Sequence, residues 1–413
     1  MSKGSDTSAG YLIVAPWEVT SHGGVNGVIH SLVRETQRAG DLSPIILQSS
    51  WPHRRMAATT ALGVRVALLR LRSPLSALGW LASIRNLLGY LVSLPRTLAQ
   101  VRRLCVSHGV VAINVHYPSM SSLTFVLLRM GSLFRGQLIF SFHGSDIHNA
   151  AKLGGFSRWL FLWSLRRVDS LVVVSEQLSR FVIGLCPDLA ARVHVVYNGV
   201  ETELFDSVRT PRPIPASDPV VISVASFDPV KGVDVLLRAI PLVLRQCVSA
   251  RFLLVGESGT QDEYLQQLAD ELGVASHVEW HCNVPHSEVP ALLTRADVFV
   301  LPSREEALGM ALLEAAIVGL PVVAARVGGI PEIVRGSEDG ILVPSEDPHA
   351  LAGAILWVVR HPDVAARMGD HLRQTVKARF TWRRAYQQYV QLALGRKPSK
   401  EGVRDARRRD QRK

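Results

Sequence analysis

The chain reads as an α/β protein of two domains, each built on a parallel sheet, and three observations carry that reading. Short apolar runs of strand length alternate with amphipathic helical stretches along the chain, the pattern of repeated βαβ units. A length of 413 residues accommodates two separate cores at the usual ~100–200 residues per domain. Between two such series lies Pro211-Arg212-Pro213-Ile214-Pro215, stiff and with little to bury.

The first ten residues, Met1 to Gly10, are small and polar and are expected to stay outside the fold. Strands are then expected at Tyr11–Pro16, Pro44–Gln48, Arg65–Leu69, Val110–His116, Gln137–Phe142, Ser170–Val174 and His194–Tyr197, with helices between them. These make a first domain over 11–210, followed by a linker over 211–219. The second domain, 220–379, restarts the alternation with strands at Val220–Ala225, Phe252–Val255, His277–His281, Asp297–Leu301, Pro321–Ala324 and Ile341–Val343. A closing helix within 380–396, bearing Trp382, Tyr386 and Tyr389, is expected to cross back onto the first domain, and 397–413 forms a basic tail with almost nothing to bury. Two open parallel sheets on one linker would leave a cleft at the carboxyl ends of their strands, where such folds bind ligands.

Composition narrows the function. With 47% hydrophobic and 20% charged residues the chain is a folded globular protein. Its four cysteines, Cys105, Cys186, Cys247 and Cys282, are far apart and make no metal-ligand spacing or disulfide framework, which fits a reducing cytoplasm. No leader pattern opens the chain and no run of about 18 apolar residues appears, so neither export nor membrane crossing is expected. The net charge of +11 asks for an anionic partner. No nucleic-acid-binding signature accompanies it. The stretch Ser73 to Val106 instead interleaves Leu75, Leu78, Trp80, Leu81, Ile84, Leu87, Leu88, Tyr90, Leu91 and Leu94 with Arg85, Arg96, Arg102 and Arg103, as a core-covering helix or a helix lying on an anionic membrane would.

The residues with chemical content cluster after strands. Ser21-His22-Gly23-Gly24 follows the first strand and opens a helix, so a backbone free of Cβ atoms could approach a phosphate there. His143-Gly144-Ser145-Asp146 follows Gln137–Phe142 and could hydrogen-bond a ligand at the strand end, or simply bond backbone. Ser226-Phe227-Asp228-Pro229-Val230-Lys231-Gly232 places Lys231 at a helix start, where a cation is disfavoured by the helix dipole unless an anion joins it. Glu306 and Glu314 follow Asp297–Leu301, the first in the turn and the second inside the helix, about 10 Å apart from the helical rise. A Glu near a helix start also fits plain capping. Gly328 and Gly329 form another glycine pair at a strand-to-helix junction.

Taken in order, Gly23-Gly24, His143-Gly144-Ser145-Asp146, Asn198-Gly199-Val200, Lys231-Gly232, the Glu306/Glu314 pair and Gly328-Gly329-Ile330-Pro331-Glu332 resemble glycosyltransferase family 4, retaining nucleotide-sugar enzymes of GT-B fold, over roughly 11–394. The resemblance implies two Rossmann-like domains facing each other across a cleft. It implies that Glu314 holds the donor ribose, that Glu306 lies beside the donor sugar, and that Lys231 neutralises the diphosphate with help from backbone near Gly24, Ser226, Gly309 and Met310. His143 would hydrogen-bond the sugar near the reacting carbon, while Gly23, Asp146, Gly328 and Gly329 are candidates on the acceptor side. No metal and no cofactor beyond the nucleotide-sugar donor are implied. The acceptor would be a hydroxyl of a glycan or glycolipid at the inner membrane face.

Two departures stand out: Ala225-Ser226 replaces the family's usual Gly-Arg, and Ala307 replaces the Gly after the first Glu. They keep open a protein that binds a sugar nucleotide or a partner enzyme without efficient transfer. A phosphorylase or epimerase of the same fold is a further alternative.

Overall fold

The computed structural model describes residues 8–21, 23–75, 80–206 and 218–396. The tail residues 1–7 and 397–413, His22, positions 76–79 of the amphipathic stretch and most of the proline-rich linker (211–217) lie outside the described residues. The chain divides into two compact units: one runs through Tyr197 and takes up the chain again from Trp382, the other is Asn198–Thr381.

Unit 1 holds an eight-stranded sheet of β1 (Ala9–Ala15), β2 (Leu42–Ser49), β3 (Ala57–Ala61), β4 (Val64–Leu69), β5 (Val110–His116), β6 (Gln137–Phe142), β7 (Ser170–Val173) and β8 (Val193–Val195). The spatial order is β3-β4-β2-β1-β5-β6-β7-β8. All neighbours pair in parallel except β3 with β4. The carboxyl ends of β1, β2, β4, β5 and β6 therefore share one edge. Leu12, Ile13, Ile113, Ile139 and Phe140 are fully buried, which is why the central strands read as unbroken apolar runs.

Two features differ from the sequence reading. Ala9 and Gly10 already belong to β1, opposite Leu42 and Ser43, so the N-terminal tail is shorter than ten residues. Gly10 is wedged there: a Cβ on it would stand 2.4 Å from the carbonyl oxygen of His108. Strand β3 was not anticipated. Its residues Ala-Ala-Thr-Thr-Ala are too small to make an apolar pattern, and it is held by a two-residue hairpin in which Leu62 (φ 55°) and Gly63 (φ 71°) both take left-handed conformations.

Unit 2 carries a six-stranded, wholly parallel sheet of β9 (Val220–Val224), β10 (Arg251–Gly256), β11 (Val278–Cys282), β12 (Val298–Leu301), β13 (Val322–Ala325) and β14 (Ile341–Val343), ordered β11-β10-β9-β12-β13-β14. Residues from Asn198 onward already belong here rather than to the first domain. Val200 bridges to Thr381, its N–H donates to the Phe380 carbonyl at 3.0 Å, and Phe205 is fully buried. The C-terminal helix Trp382–Ala393 belongs to unit 1, where Trp382, Tyr386 and Tyr389 are buried and it packs on the Gly24–Ala39 helix and β6.

The long helix Trp80–Ser107 is buried through Tyr90, Val101 and Leu104 on one side. Its other side presents Ile84, Leu87, Leu88, Leu91 and Val92 to solvent, Val92 at 82% exposure. The i, i+3/i+4, i+7 spacing makes this one continuous apolar face, not scattered side chains.

Candidate functional site

In unit 2 the chemistry is built from three neighbouring strand-to-helix loops. After β9, Ser226 donates its hydroxyl to Asp228 at 2.8 Å, and a 3-10 turn over Pro229–Lys231 ends at Gly232 (φ 67°), which starts the helix Val233–Leu244. After β12 comes the turn holding Glu306, then Gly309 (φ 107°) and the helix Met310–Val318. After β13 come Gly328 (φ 53°) and Gly329, ahead of the short helix Ile330–Ile333.

The loops are locked to each other through glycine. A Cβ on Gly232 would lie 2.2 Å from the carbonyl oxygen of Pro302, and one on Gly328 only 1.6 Å from that of Glu306. Gly329 N–H donates to the same Glu306 carbonyl at 3.0 Å. Gly328 and Gly329 thus hold the Glu306 turn in place, a role their placement on the acceptor side did not anticipate.

Lys231 Nζ meets Glu306 Oε2 at 2.7 Å, with both side chains largely shielded from solvent. Sequence placed these groups 75 positions apart and in separate motifs; the fold makes them one ion pair. Behind them, the helix Met310–Val318 begins with no side-chain cap and no acid in its first turn, so its N–H groups and positive dipole end have no neutralising partner of their own. Glu314 lies one turn in, buried, and accepts from His286 Nε2 at 2.9 Å. That bond raises the His286 value above the ordinary 6.5.

Arg304 is the cation that could stand in for the missing phosphate-binding Arg. Its guanidinium instead forms a two-pronged bond to Asp234 (2.8 and 2.9 Å), bonds Glu346 at 2.7 Å and donates to the Pro229 carbonyl. It fastens the β9 loop to the β12 loop and is not free for a ligand.

In unit 1, Gly23 (φ 140°) starts the helix Gly24–Ala39, again with no side-chain cap and no acid in the first turn. A Cβ on Gly23 or Gly24 would meet nothing within 4 Å, so the space before this helix is open. The preceding loop is laced down by Asn26, whose Nδ2 donates to the carbonyls of Glu18 (2.9 Å) and Ser21 (2.7 Å).

His143 ends the loop after β6, and Asp146 turns back to organise it: the carboxylate accepts from the backbone N–H of His143, Gly144 and Ile147. Burial nevertheless outweighs these bonds and pushes Asp146 up to about 6. Through these bonds Asp146 shapes the His143 loop.

His143 Nε2 faces His116 Nδ1 at 3.1 Å, and His116 Nε2 faces Asn114 Nδ2 at 3.0 Å. Asn114 Nδ2 also donates to the Tyr11 hydroxyl, and Asn114 Oδ1 accepts from Ser141 Oγ. With the Asn114 amide donating, His116 carries its proton on Nδ1 and gives it to His143 Nε2, leaving His143 protonated on Nδ1. Burial brings His143 down to about 4 and holds His116 well below its ordinary value, His143 adding to the latter, so both rings stay neutral at physiological pH. Neither His116 nor His286 was assigned from sequence. His116 carried a signal, since β5 and β6 both run out into a histidine; His286 carried none that tied it to Glu314, 28 residues away.

Comparison with known proteins gives the family and the fold. A family model described as Glycosyltransferase Family 4 matches residues 22–204, and one described as Glycosyl transferases group 1 matches 205–375. A GDP-mannose-dependent alpha-(1-6)-phosphatidylinositol monomannoside mannosyltransferase of Mycobacterium tuberculosis is 30% identical over 313 residues, 70% of this chain and 77% of that protein. Its namesake from Mycolicibacterium smegmatis is 36% identical over 190 residues, 44% of this chain and 50% of that protein. Among solved structures, a sucrose-phosphate synthase from Thermosynechococcus elongatus superposes with a TM-score of 0.73 at 23% identity, covering 93% of this chain and 98% of its own. Anabaena HepE in complex with UDP and glucose gives 0.71 at 17%, covering 93% and 98%.

Proposed function

The chain belongs to glycosyltransferase family 4, and from that premise we propose that it moves a sugar from a nucleoside diphosphate sugar to a hydroxyl of a glycan or glycolipid, with retention at the anomeric carbon. The observation that carries the reading is the Lys231–Glu306 ion pair, set among the same loops as the uncapped helix start and the buried Glu314. A diphosphate arriving there would find a cation and free N–H groups for its charge, and its ribose a carboxylate acceptor.

In this reading Lys231 and the amides of Gly309 and Met310 stabilise the departing diphosphate without a metal, and Ser226 joins them if its hydroxyl turns from Asp228 to the phosphate. Glu306 lies beside the sugar, and in unit 1 neutral His143 offers a hydrogen bond at the end of β6. The acceptor hydroxyl attacks from the face the diphosphate leaves, and a phosphate oxygen takes its proton. The relatives' names make GDP-mannose the first donor to try. Unit 1 takes the acceptor. The outward apolar face at Ile84, Leu87, Leu88, Leu91 and Val92, together with the chain's positive charge, favours work at the cytoplasmic face of an anionic membrane.

Calorimetric titration with GDP, UDP and ADP tests the donor site. One nucleotide is expected to bind, and Glu314→Ala to weaken it by about tenfold or more, the worth of a hydrogen bond to a charged group. The His286–Glu314 pair adds a pH signature. Because His286 is raised above 6.5, the pair's contribution to folding is full below that value and is lost as pH rises through the raised one. A ribose that takes Glu314 displaces the imidazolium and releases its proton, so affinity should climb from pH ~6 to ~8. In His286→Gln the slope should vanish. Binding that ignores both Glu314 and pH would place the ribose elsewhere.

A further inference from the structure

At the carboxyl ends of β2 and β4, two arginines lie over one exposed tryptophan, with two more in the loop that carries it. Trp51 is 64% exposed, with the guanidinium of Arg70 4.5 Å and that of Arg72 5.3 Å from its ring centre. Arg70 Nε also donates to the Trp51 carbonyl, and the Arg70 N–H donates to the His53 carbonyl at 2.8 Å. Arg54 and Arg55 lie exposed in the same loop. Met56 N–H, bonded to Gln100 Oε1 at 2.6 Å, ties that loop to the long helix.

The cluster is built, not incidental. The Arg72 guanidinium lies over Gly89 of the long helix, where a Cβ would come within 2.6 Å of Arg72 Nη1. Among the described residues, none of Arg54, Arg55, Arg70 and Arg72 is ion-paired with a carboxylate. Arg54 and Arg72 add to desolvation in lowering the Arg70 value. Concentrated positive charge with no protein counter-charge, over an aromatic face, is suited to a phosphate gripped by two-pronged guanidinium contacts.

We propose that the Trp51–Arg70–Arg72 cluster is an anion site that binds a phosphate ester carried by the acceptor. Strand order gives the site its reach. β2 stands three positions from β6, and β4 four, so the cluster is displaced from the end of β6, where His143 sits, by roughly 14 to 19 Å at the usual strand spacing. A few sugar rings bridge that span. The site therefore selects acceptors whose receiving hydroxyl and phosphate are separated by a short saccharide. The phosphate is either free in solution or the headgroup diester of a lipid, whose chains would lie toward the exposed Leu88, Leu91 and Val92 beside Gly89. The inference rests on unit 1 being the acceptor domain.

Binding of two probes to the full chain tests it: inositol 1-phosphate in solution, and phosphatidylcholine vesicles with or without phosphatidylinositol. Arg70→Gln/Arg72→Gln should weaken the probe that binds by about tenfold or more. The charge-matched control Arg245→Gln/Arg251→Gln, on the surface of unit 2, should leave it unchanged. The arginine variant should melt at or above the parent temperature, since it relieves like-charge crowding. Binding of the soluble ester supports a free phosphate, and binding confined to the phosphatidylinositol vesicles supports a lipid-borne one. Equal loss in both double variants would reduce the effect to net charge and overturn the site, as would failure of both probes to bind. Nucleotide affinity, measured alongside, should be unaffected by these variants; its absence in the parent chain would sink the transferase reading while leaving the anion site standing.

Discussion

Lys231→Ala is expected to lower the rate of sugar transfer by about two to three orders of magnitude, the usual cost of removing one group that stabilises charge developing in a transition state. The size follows from how few cations the donor loops can offer. Ser226 stands where the family commonly has Arg, and Arg304 is held by Asp234, Glu346 and the Pro229 carbonyl. Among the described residues Lys231 has only Glu306 as its partner, at 2.7 Å, and can turn to a phosphate without dismantling the fold. The effect should fall on kcat more than on KM, because the diphosphate gains charge as it leaves. The melting temperature should change little, since a partly exposed ion pair contributes at most about 1 kcal/mol. A rate within a few-fold of the parent would show that another cation carries the leaving group.

The second large effect is expected at Gly328. Alanine there must adopt a φ of 53° and place its Cβ 1.6 Å from the carbonyl oxygen of Glu306. Either the β13 loop or the Glu306 turn has to move, and the bond from Gly329 N–H to Glu306 goes with it. Left-handed strain and overpacking together should cost about 2–4 kcal/mol and remove most activity. Gly353→Ala is the control: that glycine lies in the helix Pro348–Arg360 with open space around it, and the change should stabilise by up to about 1 kcal/mol. Denaturant titration of both variants decides. A Gly328→Ala protein as stable as the parent would mean the two loops are not locked as described.

These two residues also show how far the sequence could be read. The parallel strands announce themselves because burial on both faces demands unbroken apolar runs, as in β1 and β12, and the turns after them are marked by glycine. Such local signals placed Lys231, Glu306, Glu314 and His143 at strand ends. What they do not encode is which turn touches which. The ion pair joins positions 75 apart, and the Arg304 lock joins positions 70 and 42 apart. The backbone bonds of Asp146 went unread for a related reason: nothing local shows that the turn folds this carboxylate onto its own backbone. Strand β3 is Ala and Thr, without apolar side chains large enough to register. The end of the first unit at Tyr197 is set by Val200 and Phe205 packing into the second, and no local composition shift marks it.

The most direct test of the central claim is to incubate the purified chain with GDP-mannose labelled with carbon-13 at the anomeric position and a phosphatidylinositol mannoside acceptor, and to read the product by NMR. The account predicts a new glycosidic signal of the same α configuration as the donor, lost in Lys231→Ala. Transfer with inverted configuration would contradict the same-face mechanism. No labelled product from this or any other sugar nucleotide, in a protein that still binds a nucleotide through Glu314, would contradict the transferase reading and leave a binding protein in its place.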